Sequence, residues 1–182
     1  LANGRVEQYD HIVFACHSDE ALALLADPAG AEKEVLGNMP YQLNEVVLHT
    51  DETLLPRLKS TWSSWNYQQH DYHQAQATLT YNMNILQGIA APVTFCVTLN
   101  DSSNIHPQKI LASFNYAHPV FTRESMLAQQ RWPEINGPLN RWYCGAYWRN
   151  GFHEDGVVSA LHVVNGILCT VGKPPVEVLG YE

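Results

Sequence analysis

The sequence predicts an α+β fold, a mixed and largely antiparallel sheet with flanking helices. Three observations carry this. Middle segments alternate at period two, as where Leu79, Tyr81 and Met83 face Thr80, Asn82 and Asn84. A late run repeats at helical spacing, with Val157, Leu161, Val164 and Leu168 one or two turns apart. Apolar residues make up 46% of the 182 and charged ones 15%, a composition that buries a core rather than staying disordered.

The elements follow in order. Arg5–Gln8 and His11–Cys16 read as two strands joined at Tyr9-Asp10, the second (IVFAC) short and bounded like a buried parallel strand. Ser18 is expected to cap a helix that Asp27-Pro28 stops, and Ala31–Leu36 a second one ended by Gly37. Tyr41–Thr50 is a strand centred on β-branched Val46 and Val47. A turn around Pro56 leads to an aromatic block, Ser60–Tyr67. Gln68–Gln76, polar and holding His70 and His73, reads as a hairpin tip. Strands are predicted at Thr78–Asn84, Val93–Leu99 and Lys109–Ala117, with a helical turn at Ile85–Gly88. Thr122 caps a helix over Arg123–Arg131, and Asn136-Gly137-Pro138 links it to the final part.

That final part is strand, turn and helix. Arg141–Cys144 runs into Gly145. An aromatic loop with Tyr147, Trp148 and Phe152 follows, then Glu154, Asp155 and Gly156. Asp155 is expected at the helix start, where its carboxylate accepts from orphan N–H groups. Gly156 keeps the first turn open to close approach, and the partial positive charge there suits an anion or an electron-rich carbonyl.

CGAY…GFHEDGVVSALHVV resembles the closing segment of the flavin-containing amine oxidase superfamily, which also holds phytoene desaturase-like enzymes. Asp155-Gly156-Val157-Val158 matches the acidic-Gly-Ala-Val helix start of that family, and Cys144-Gly145 its small-Gly step. Ala146 stands where the family carries Asp or Glu. HTDETLLPR, TWSSWNY and HPVFTRESMLAQQRWPEING strengthen the likeness to a bacterial branch. The resemblance implies FAD as cofactor, held near Gly145, Ala146, Phe152, Glu154, Asp155, Gly156 and Val157. It implies that residues 1–17 and 137–182 join an FAD-binding half, the first as strands, the second as return strand and closing helix. Residues 18–136 become the substrate domain. Trp62, Trp65, Tyr67, Tyr147 and Trp148 are expected to line an apolar substrate site. No catalytic residue is assigned. The family's strand–GxGxxG–helix unit does not occur among the 182 residues. The expectation is therefore a C-terminal part of a longer oxidoreductase, with the dinucleotide-binding half as its missing partner and little hold on FAD alone.

Composition narrows the alternatives. A net charge of −8 argues against nucleic acid or an anionic membrane surface. No run of eighteen apolar residues occurs. Cys16, Cys96, Cys144 and Cys169 form no CxxC pair and read as buried hydrophobes in a reducing, cytoplasmic compartment. His70-x-x-His73 and His49 near Asp51 read as ordinary histidines rather than metal ligands. No GxSxG elbow is present, and Cys16-His17 are merely adjacent. Apolar surface left by IVFAC and residues 156–168 predicts self-association. Two other readings stand: a non-catalytic interaction module, and a desaturase acting on an apolar, lipid-like substrate.

Overall fold

A computed structural model describes residues 4–69 and 78–177. The fold is α+β. The chain divides into two compact units, one of Leu1–Tyr41 with Pro119–Glu182, the other of Gln42–His118. The inner unit is narrower than the expected 18–136 span, because residues 18–41 and 119–136 pack with the terminal segments.

The discontinuous unit contains β1 (Ile12–Phe14), α1 (Ser18–Leu24), α2 (Gly30–Gly37), α4 (Arg123–Gln130), α5 (Trp132–Ile135), β7 (Arg141–Tyr143) and α6 (His153–Thr170). β1 and β7 pair in parallel, Ile12 opposite Arg141 and Phe14 opposite Tyr143. Arg5–Gln8 is not a strand, since no partner strand reaches it, and Val6 is 88% exposed. Ala21, Val35, Leu36, Ala128, Ile135, Tyr143, Tyr147 and Trp148 form the main core. Glu32 lies inside it at 3% exposure, accepting from Tyr143 Oη at 2.6 Å, Arg141 Nη1 at 2.9 Å and Ala29 N–H at 2.7 Å. Thr122 caps α4 as its sequence predicts, taking the Ser125 N–H at 3.1 Å.

The inner unit is a five-stranded sheet in the order β3-β4-β5-β2-β6. Its strands are β2 (Tyr41–His49), β3 (Trp65–Gln68), β4 (Thr78–Asn82), β5 (Cys96–Leu99) and β6 (Ile110–Pro119), with the short α3 (Met83–Gln87) after β4. β2–β5, β3–β4 and β4–β5 are antiparallel. The four predicted strands form; the fifth, β3, comes from the aromatic block. The predicted hairpin tip, with His70 and His73, lies outside the described residues. Long helices do not cover this sheet within its unit. Its small core of Val47, Leu54, Ile105 and Ile110 is closed by 3-10 turns at Glu52–Leu54 and Ser102–Asn104.

Register sorts the side chains into two faces. Asn66, Thr80, Thr98 and Val47 form one row, and Asn82, Cys96 and His49 the next. All seven are buried. The other face carries Tyr67, Leu79, Leu99 and Val46, then Trp65, Tyr81, Val97 and Leu48.

The buried polar row is fully bonded. The Asp51 N–H donates to His49 Nδ1 at 3.0 Å, so the proton of this imidazole sits on Nε2 and points at Thr98 Oγ1, 2.7 Å away. Thr98 Oγ1 meets Thr80 Oγ1 at 2.8 Å. Burial lowers the His49 pKa and keeps the ring neutral, outweighing the nearby Asp51 charge. Burial alone would raise Asp51. Hydrogen bonds from His106 N–H, Lys109 Nζ and the Thr53 N–H and hydroxyl outweigh it and hold the carboxyl well below the usual range. A depressed folded pKa stabilises above the unfolded value, about 4, and that stability is lost as pH falls through the folded value. The inner unit should therefore lose stability in acid below about pH 4, and Asp51→Asn should flatten that loss. Urea midpoints at several pH values check this; an unchanged acid slope in the variant would contradict it.

Candidate functional site

The β7–α6 junction brings together the small residues that the sequence singles out. Gly145 follows β7. Its N–H donates to Ser159 Oγ at 2.9 Å, and the Ser159 hydroxyl lies 3.1 Å from the Gly145 carbonyl and 2.8 Å from that of Gly156. One serine of α6 thus ties the turn to the helix start. A Cβ on Gly145 would come within 2.4 Å of the Tyr147 ring, so the residue must be glycine for the ring to lie there. A Cβ on Gly156 would sit 3.7 Å from Ala146 N and 4.0 Å from Ala146 Cβ, an ordinary contact. Gly145, Ala146, Gly156 and Ser159 are therefore one cluster.

Asp155 departs from its expected place. α6 begins at His153, with Phe152 as the cap residue, so Asp155 is the third helical position rather than the cap. Its carboxylate reaches back to the Phe152 N–H at 3.0 Å and the Asn150 N–H at 3.1 Å, with Arg149 Nε 4.0 Å away. The group is 4% exposed and orders the loop before the helix. A phenyl ring has no acceptor, so no side chain caps the first-turn N–H groups of His153 and Glu154. The helix start keeps its donors and its partial positive charge. Phe152, Glu154 and Val157 lie on its exposed surface.

The aromatic set separates. Tyr147 and Trp148 are 4% and 6% exposed and belong to the core of the discontinuous unit, where Trp148 Nε1 donates to the Tyr143 carbonyl at 3.0 Å. Trp62 stacks under Lys59 Nζ, 4.8 Å from the ring centroid, and donates to the Pro56 carbonyl at 2.8 Å. Trp65 and Tyr67 share one face of β3 and are 48% and 65% exposed. Tyr147 Oη has no partner among the described residues, and burial raises its pKa. Removing a buried, unpaired hydroxyl removes only a desolvation cost. Tyr147→Phe should leave thermal stability unchanged or raise it by about 1 kcal/mol; clear destabilisation would show a hydrogen bond that the structure lacks.

Other chemistries find little support in the geometry. Among the described residues no cluster of three or more His, Cys, Asp or Glu side chains is placed to hold a metal. Burial raises the Cys16 and Cys144 thiols and pushes Cys96 to about 11, so these sulfurs stay protonated and poorly nucleophilic. Only Cys169 of the four is exposed. A disulfide reagent at neutral pH should modify Cys169 rapidly, and Cys96 and Cys144 only after unfolding; fast modification of Cys96 would contradict its burial. Among the described residues no helix is long and apolar enough to cross a membrane.

Sequence reasoning missed Ser159, which joins both halves of the junction. Its position three residues after Gly156, one helical turn along the same face, was the available signal. No family model matches the chain, and no curated protein matches it.

Proposed function

We propose that the chain is the C-terminal part of an FAD-dependent oxidoreductase of the flavin amine oxidase type, with the first turn of α6 as its cofactor contact. The observation that carries this reading is the β7–turn–α6 unit. A strand ends in Gly145-Ala146, and a helix starts beside it with no capping side chain on its first N–H groups. The residues fit an electron-rich ring edge. They offer backbone donors, small neighbours that leave the backbone approachable, and an Asp155 carboxylate already engaged by two N–H groups.

The β1–β7 pair supports the same reading. Parallel strands are ordinarily covered on both faces, and a two-stranded sheet is marginal alone. Ile12 and Val13, which point to opposite faces of β1, are nevertheless 47% and 45% exposed. Val157, Val164 and Val171, seven residues apart on α6, are exposed as well. A dinucleotide-binding half adding strands to this pair would cover such surface.

FAD, when bound, supplies the hydride acceptor for oxidation of a C–N or C–C bond. The chain's own part is to hold the flavin edge with backbone N–H groups, and to shield the reacting carbon from water with aromatic and aliphatic side chains. Its four free thiols suit a reducing compartment.

Flavin content tests the proposal. The 182-residue chain alone should be colourless after dialysis. The protein with its upstream residues should be yellow, with about one FAD per chain. A gene with no strand–GxGxxG–helix unit upstream, or a flavin-free full-length protein, would overturn the reading and favour an interaction module.

A further inference from the structure

An antiparallel sheet with one covered face normally places apolar side chains under the cover and polar ones outside. The sheet of the inner unit does the reverse. Its covered rows are threonines, asparagines and His49. Its open rows carry Trp65, Tyr67, Leu79, Tyr81, Val97 and Leu99, the first two exposed and the rest half-buried. An apolar patch left open at the expense of polar groups inside marks a surface selected for contact.

We infer that this face is the substrate wall of the proposed enzyme, and that it takes the apolar body of a neutral substrate rather than an ammonium. That the occupant is a substrate rests on the flavoprotein reading; the chemistry recognised does not.

Charge selects the occupant. The chain has 18 acidic residues, yet none stands on either open row. An ammonium placed there loses water and gains no counter-ion. A hydrocarbon chain or ring instead buries area against Leu79, Val97 and Leu99 and packs on the Trp65–Tyr81 pair, whose rings meet edge to face at 5.8 Å. A second copy of a chain with net charge −8 would bring like-charged surfaces together around the patch.

The test uses the 182-residue chain and prodan, a neutral dye whose emission shifts to the blue in apolar surroundings. Competition is measured with 4-phenylbutan-1-ol and with 4-phenylbutylamine at pH 7, which share a carbon skeleton and differ in charge. The alcohol should displace prodan at a concentration at least about tenfold lower than the ammonium. Leu99→Asp, checked for folding by circular dichroism, should abolish the blue shift and narrow the gap between the competitors. Tyr67→Ala, at a more exposed site, should weaken prodan several-fold if Leu99→Asp fails to fold. Leu24→Asp in the other unit should change nothing. Equal competition, or undiminished prodan binding in a folded Leu99→Asp, would overturn the inference. So would a wild-type dimer that Leu99→Asp dissociates in sedimentation, since the face would then belong to a second copy. The flavin assay is independent: a flavin-free full-length protein with the expected prodan result sinks the flavoprotein reading alone.

Discussion

Gly166→Leu should abolish cooperative folding of the discontinuous unit, and Gly166→Ala should lower its stability by about 1–2 kcal/mol. The cause is Trp142. A Cβ on Gly166 would lie 2.3 Å from Cζ3 and 2.7 Å from Cη2 of that ring. The ring cannot swing away. Its other side lies against Gly137, whose own Cβ position is 3.3 Å from Cη2, and its Nε1 donates to His11 Nδ1 at 3.2 Å. Overpacking of this kind typically costs 1–3 kcal/mol, which exceeds the roughly 1 kcal/mol that alanine gains over glycine inside a helix. Gly30→Ala in α2 is the control, because nothing lies within 4 Å of its Cβ position. Thermal melts of the three variants check the pair of effects. A Gly166→Ala protein as stable as wild type would mean that α6 does not rest on Trp142 as described.

Glu32→Ala should cost about 3–5 kcal/mol, the usual penalty for stranding the partners of a buried charge. The carboxylate joins α2 to β7 across more than a hundred residues of sequence, through Arg141 and Tyr143. Without it the Tyr143 hydroxyl, in a residue with 0% exposure, has no acceptor, and the Arg141 guanidinium loses its counter-charge. Burial and the neighbouring carboxylate both raise the Tyr143 pKa, so the phenol stays a donor at all ordinary pH. Glu32→Gln keeps one carbonyl acceptor and should cost less. Denaturant midpoints separate the cases; equal stability of Glu32→Ala and wild type would remove this link from the account.

Much of the fold was legible because local pattern and tertiary role agreed. Thr78–Asn82 alternates in sequence, and its threonines and asparagine do turn to the covered side. β3 was not legible. Trp65-Asn66-Tyr67-Gln68 alternates too, but with aromatics outward and Asn66 inward, where it bonds the Ser63 and Thr80 carbonyls. A pattern inverted against burial reads as an aromatic loop. Arg5–Gln8 shows the converse: strand-like composition forms no strand without a partner edge. At the site, the glycine turn and helix start were readable because backbone constraints are local. That Tyr147 and Trp148 enter a core while Trp65 and Tyr67 stay open depends on which elements pack over them, and no spacing encodes that.

The helix-start contact is the centre of the functional account, and Gly156 probes it most directly. Its Cβ position clears Ala146, so Gly156→Ala and Gly156→Val should both fold. Asp155→Asn should be mild, about 1 kcal/mol, since it keeps an oxygen for the Asn150 and Phe152 N–H groups. The deciding measurement is the flavin-to-protein absorbance ratio of the full-length protein and its Gly156→Val variant. The account predicts a flavin-loaded wild type and a folded variant that has lost most of its FAD. Full occupancy with normal reduction kinetics in Gly156→Val would contradict the assignment of this helix start as the flavin contact.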